Sequence, residues 1–182
     1  MNKSNQDKIA LIVVDMQIDN VGRYCQHIIP NIKTLITKAR EKKIPVIYAC
    51  DSRYPDDLLF EKLGRKPHTI RGTEGVKVIK DLTPLPDEII VEKRMMSGFF
   101  GSELDFTLRQ KSIKRLIITG VRTEFCLLKT ILDAFELGYE LIVPSDACAS
   151  PSEKGHRAAL ESLELLKITK PTTEELIKNH LI

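Results

Sequence analysis

The sequence predicts an α/β fold of three layers, an open and mostly parallel sheet with helices on both faces. Two observations carry this prediction. Short apolar runs recur without polar alternation, as expected of strands covered on both sides. Segments of helical period separate them, and strand–helix alternation through a whole chain favours a parallel sheet. The 182 residues contain 42% hydrophobic and 29% charged side chains. That is enough for one core, and no repeat or linker divides the chain, so 1–182 reads as a single domain.

The first strand is Lys8 to Val14, an apolar run ended by Asp15. Residues 28–43 place Ile28, Ile32, Leu35, Ile36 and Ala39 on one helical face, with Pro30 tolerable in the first turn and a basic end. A second strand, 45–51, again ends in an aspartate, Asp51. Residues 52–75 are charged and rich in Pro and Gly, a segment long enough to contain a helix or to cover a site. The third strand is 88–93, ending at Lys93, and the glycine-bearing loop 97–101 follows, with Ser102 placed to cap a helix over 103–110. The run 114–120 is a fourth strand. It leads through Thr123 to a helix over 124–137 that Gly138 closes. A fifth strand covers 139–143 with Asp146 just beyond it. A helix at 153–164, a short strand near 165–168 and a last helix begun by Thr172, Thr173 and Glu175 complete the order.

Charge and composition exclude several classes. Lys plus Arg number 28 against 25 Asp plus Glu, a surplus of +3 that is no nucleic-acid footprint. No apolar run approaches the ~18 residues of a membrane span, and the polar start is unlike a secretory leader. A cytoplasmic setting is therefore expected. Cys25, Cys50, Cys126 and Cys148 are widely spaced, which suggests neither a zinc knuckle nor a redox pair.

In open parallel sheets the ligand lies beyond the carboxyl ends of the strands. Asp15, Asp51, Lys93, the 120–126 turn and Asp146 all follow predicted strands, so several of them should meet at one edge. Thr123 reads as an N-cap, which places Cys126 in the first helical turn, where free N–H groups favour a thiolate. No histidine stands at an evident strand end. A carboxylate such as Asp15 is then the available proton acceptor, with Lys93 holding both groups electrostatically.

Asp15-Met16-Gln17, Lys93 and Gly120-Val121-Arg122-Thr123-Glu124-Phe125-Cys126, followed by Thr130, Asp133-Ala134, Gly138-Tyr139 and Ser145-Asp146-Ala147, resemble the isochorismatase-like cysteine hydrolase superfamily. The resemblance spans roughly 8–168. It implies a Rossmann-like fold and a triad of Asp15, Lys93 and Cys126. It further implies a non-proline cis peptide between Val121 and Arg122 and an oxyanion hole from the Arg122 and Cys126 amides. The activity implied is nicotinamidase-like cleavage of a small C–N amide through a thioester. Vinyl-ether hydrolysis of the isochorismatase type, and small-molecule binding without catalysis, are the alternatives. A homo-oligomer, dimer or tetramer, is also implied.

Nicotinamidases resemble one another in a strand-end Asp-x-His and a later histidine that hold a divalent ion. Here Asp51 and His68 match, but Arg53 replaces the first histidine, and an arginine has no lone pair to offer. The expectation is no cofactor, with a divalent metal such as zinc disfavoured and Asp51 and His68 its weak candidate ligands. Arg53 either meets a substrate carboxylate or pairs with a nearby aspartate. Tyr54, Phe99 and Phe100 are the expected aromatic wall of a small-substrate pocket. Phe60, Phe106, Phe125 and Phe135 read as core or subunit contacts.

Overall fold

The computed structural model describes residues 8–182; the polar stretch 1–7, counted within the domain from sequence, lies outside the described residues. The central strands are β1 (Lys8–Val14), β2 (Val46–Asp51), β3 (Ile89–Lys93), β4 (Ile113–Val121) and β5 (Glu140–Ile142). They lie in the order β3-β2-β1-β4-β5, every pair parallel, and the two-residue β6 (Cys148–Ala149) joins β4 beside Gly120 and Val121. The chain steps outward from β1 to β3, then returns to the other side of β1 with β4. The carboxyl ends of β1 and β4 therefore flank a topological switch point, where this class of sheet forms its crevice.

Unbroken apolar strands are explained by the two cores they separate. Ala10, Ile12 and Val14 of β1 face one layer, and Leu11 and Val13 face the other. The first layer is closed by α4 (Leu104–Gln110), α5 (Leu128–Glu136) and α6 (Glu153–Leu165), through Leu104, Leu108, Ile131 and Leu163. The second is closed by α2 (Ile29–Glu41) and α7 (Thr173–Lys178), through Ile32, Leu35, Ile36 and Leu176. The helix α2 has a proline in its first turn and basic residues in its last, as its sequence suggests. Short α1 (Ile18–Val21) follows the β1 end, and α3 (Leu58–Lys62) is the helix inside the 52–75 segment.

Gly120 makes the approach of β4 to β1 possible. Its φ is +122°, and a Cβ there would lie 2.1 Å from the Val14 carbonyl oxygen. Only a residue without a side chain fits.

Two sequence expectations need correction. The strand near 165–168 is absent; α6 runs through Leu165, and only Thr169 makes a single bridge to Ile142. The sixth strand is Cys148–Ala149 instead, too short for periodicity to reveal. Thr123 is not a helix cap. Its hydroxyl meets His156 Nδ1 at 2.9 Å, and 123–127 form one π-helical turn before α5. No helix among the described residues is long and apolar enough to cross a membrane.

Candidate active site

Asp15 leaves β1 with φ +51°, a turn that buries its carboxylate at the sheet edge with 2% exposure. Lys93 ends β3 and is 1% exposed. Its Nζ donates to Asp15 Oδ2 at 2.9 Å, to Asp51 Oδ1 at 2.6 Å and to the Met95 carbonyl at 3.3 Å. All three ammonium hydrogens thus have acceptors. Asp15 Oδ1 accepts from the Asp51 backbone N–H at 2.9 Å, which ties the β1 and β2 ends together. Gln17 strengthens the same join, donating to the carbonyls of Asp51 and Val76 at 2.8 and 2.6 Å and accepting from the Asp51 N–H at 2.9 Å.

Cys126 follows β4 within the π-helical turn, and its sulfur lies within 4.8 Å of carboxylate oxygens of both Asp15 and Asp51. Thr130, one turn on, donates to the Cys126 carbonyl at 2.7 Å and accepts from the Gly98 N–H at 2.8 Å. The turn that carries Cys126 is thereby fixed to the loop after β3.

Burial and charge set the protons. Desolvation, reinforced by the Asp51 carboxylate and opposed by Lys93, pushes Asp15 up to about 6. Burial and then the Asp15 carboxylate hold the Cys126 thiol well above the ordinary thiol range, against the pull of Lys93. For Lys93, desolvation favours the neutral amine, but Asp15, the Cys126 sulfur and Asp51 outweigh it and keep the ammonium charged. Burial and the two nearby carboxylates thus favour the thiol at Cys126, against the pull toward a thiolate expected from the first helical turn.

Cys126 and Asp15 border a cleft of about 510 Å³. Phe60, Leu59 and Leu63 from the α3 segment form part of its wall, with Phe125 and Arg122 of the turn that carries Cys126.

A family model described as the isochorismatase domain matches residues 9–175. The chain belongs to the isochorismatase family. Within it, the ureidoacrylate amidohydrolase RutB of Cronobacter turicensis is 33% identical over 172 residues, 78% of this chain and 74% of that protein. An isochorismatase-like hydrolase from Alkaliphilus metalliredigens superposes with a TM-score of 0.87 at 31% identity, covering 94% of this chain and 98% of that one. The nicotinamidase PncA from Bacillus subtilis superposes with a TM-score of 0.84 at 28% identity, covering 90% and 99%.

Several other candidate residues stand elsewhere than expected. Tyr54 is 42% exposed and stacks with Arg94, 4.7 Å from its ring centre. Phe99 is buried in the core against Tyr139, and Phe100 is 65% exposed. None of the three lines the cleft; Phe60 and Phe125 do, so these two are not simply core or subunit contacts. The alternation of a loop gives no face to read, so paired phenylalanines after a strand cannot be assigned to a wall from sequence. Arg53 does border the cleft, but its guanidinium is spent on Asp51, with Nη2 to Oδ1 at 3.0 Å and Nε to Oδ2 at 3.2 Å, and on the Arg94 carbonyl. Asp146 binds the α7 start, accepting from the Thr173 N–H and hydroxyl at 2.8 Å each. Cys50 and Cys148 are buried small side chains, with Cys148 donating to the Pro144 carbonyl. The peptide between Val121 and Arg122 is cis.

The sequence reading missed Gln17 as the clasp of two strand ends and Asp51 as the second counter-ion of Lys93. A second strand-end aspartate in register with Lys93 was the available signal.

Proposed function

We propose that this chain is a cysteine amidohydrolase that cleaves the C–N amide bond of a small metabolite through a thioester. The convergence of Asp15, Lys93 and Cys126 in one buried cluster at a narrow cleft carries the reading. Asp15 takes the Cys126 proton as the sulfur attacks the amide carbon, so the thiolate exists only as the C–S bond forms. The backbone N–H groups of Arg122 and Cys126 receive the carbonyl oxygen as it becomes an oxyanion. Asp15 then passes its proton to the nitrogen, the C–N bond breaks and ammonia or an amine leaves. Water attacks the thioester while Asp15 takes one of its protons, the C–S bond breaks, and that proton returns to the sulfur. Lys93 stays charged throughout and offsets the alternating charge of its two neighbours.

The reading is metal-free. The ligand set of a nicotinamidase-type centre does not fit, because both Asp51 carboxylate oxygens are held by Lys93 and Arg53. The Lys93 ammonium already lies between Asp15 and Asp51, where a cation shared by those carboxylates belongs. This weighs against nicotinamide held through a metal-bound ring nitrogen, and for amides recognised by side chains alone. Assembly into a homo-oligomer and a cytoplasmic setting complete the reading.

An ammonia-release screen over nicotinamide, pyrazinamide, N-carbamoyl compounds and ureides tests it. Turnover lost in Cys126→Ala, with an unchanged circular dichroism spectrum, is the expected result. Turnover retained in a pure Cys126→Ala preparation overturns the thioester scheme. No turnover of any amide returns the choice to vinyl-ether hydrolysis or binding.

A further inference from the structure

Three guanidiniums border the cleft, and they differ in how they are satisfied. Arg53 is fixed on Asp51. Arg65, from the segment after α3, and Arg122, from the nucleophile turn, have no ion pair and no side-chain hydrogen bond among the described residues. Both are partly buried. Arg65 lies over the Phe125 ring, 5.1 Å from its centre, which holds the guanidinium at the cleft wall without using its hydrogen-bond donors. Burial and the Arg122 guanidinium both hold Arg65 below its ordinary range, only partly opposed by the Cys126 sulfur and Glu124. Glu124 does not neutralise it by contact: one of its oxygens accepts from Ser150 at 2.6 Å and the other is buried without a partner. Deeper in the cleft the charges balance, with Asp15 and Asp51 against Lys93 and Arg53. The Arg65–Arg122 side of the cleft is left with two guanidiniums against the one nearby carboxylate of Glu124, and with free planar donors, the arrangement that recognises a carboxylate.

We propose that Arg65 and Arg122 form a carboxylate clamp, so that the preferred substrates are amides bearing an acid group beyond the scissile bond. This rests on the amidohydrolase reading. The clamp orients the substrate with its acid on the arginines and its amide carbon toward Cys126, and neutral amides of the same size lack that anchor. Arg65 acts as a specificity residue contributed by the 52–75 segment.

The test reads the clamp without requiring turnover. Iodoacetate and iodoacetamide both alkylate a thiol: sulfur displaces iodide, an S–C bond forms and the C–I bond breaks. They differ in carrying a carboxylate or a neutral amide. The rate ratio of iodoacetate to iodoacetamide at Cys126 of the full chain, located by peptide mass and normalised to free cysteine, is expected to exceed one by about 10- to 100-fold. Arg65→Gln is expected to lower that ratio about tenfold or more, and Arg65→Lys to restore part of it. Arg157→Gln, on the exposed side of α6, is expected to keep the wild-type ratio. A normalised ratio of one in the wild type, or a ratio untouched by Arg65→Gln, overturns the proposal. Should Arg65→Gln fail to fold, propionate is expected to protect wild-type Cys126 from iodoacetamide where propionamide does not, and equal protection overturns the clamp. A high ratio without turnover of any amide sinks the amidohydrolase reading alone, whereas turnover of neutral and acidic amides at equal rates with a flat ratio sinks the clamp alone.

Discussion

At the scale of single residues, proton placement governs the chemistry. Asp15 must be ionised to accept the Cys126 proton, and burial has pushed it up to about 6. A carboxylate raised in this way is increasingly protonated as pH falls through that value. The ratio kcat/KM on an amide substrate is therefore expected to fall tenfold per pH unit below about 6 and to level off above it; a profile flat down to pH 4.5 excludes Asp15 as the base. Lys93 has a structural burden as well. Lys93→Met leaves Asp15 and Asp51 buried without their shared cation, and urea unfolding at pH 7.5 is expected to show a loss of about 3 to 5 kcal/mol. The deficit should shrink at pH 5, where Asp15 takes up a proton and its uncompensated charge disappears. That Asp15, Asp51 and Lys93 would meet was legible because each follows a predicted strand; singling out Asp15, Lys93 and Cys126 rested on the ordered motifs of the family resemblance. The allegiance of Arg53 was not legible, since three aspartates lie within a few residues of it and sequence distance cannot choose among them.

Among the elements, closeness of approach is the limiting property. Adding a methyl at Gly120 puts a Cβ 2.1 Å from Val14 O at φ +122°, at the seam that flanks the site. Strain and overpacking together predict a loss of about 2 to 6 kcal/mol for Gly120→Ala, read as a fall in urea midpoint. A stability loss near zero would show that the β1–β4 seam can open. The last helix offers a milder case. Thr172 accepts from the Glu175 N–H at 3.2 Å while Glu175 accepts from the Thr172 N–H at 2.8 Å, a reciprocal capping box. Thr172→Ala is expected to cost about 1 kcal/mol in the same assay, with amide turnover unchanged. Such a cap is written in four consecutive residues, and the sequence reading placed the start of this helix correctly. The turn at 123–127 was misjudged for the complementary reason: the hydroxyl expected to cap it is taken by His156, 33 residues away.

For the molecule as a whole, the parallel sheet with two apolar faces makes the site possible. It places the ends of strands that are distant in sequence within hydrogen-bonding reach, with Lys93 Nζ bridging Asp15 and Asp51 across 78 and 42 residues of chain. Charge is balanced inside that cluster by side chains, so amide turnover is expected to survive exhaustive chelation and to gain nothing from added zinc. A large loss with chelator, restored by metal, would displace the metal-free reading. Unbroken apolar runs determined the layered fold by themselves, because a strand covered on both sides must be apolar at every position. Strand ends likewise marked Asp15, Asp51, Lys93, the 120–126 turn and Asp146 as neighbours at one edge, and the family resemblance narrowed them to Asp15, Lys93 and Cys126. The tertiary structure decided which charges neutralise one another, how burial biases Cys126 toward the thiol, and which aromatic rings wall the cleft. These depend on distances and burial set by packing, and neither is written in the neighbours along the chain.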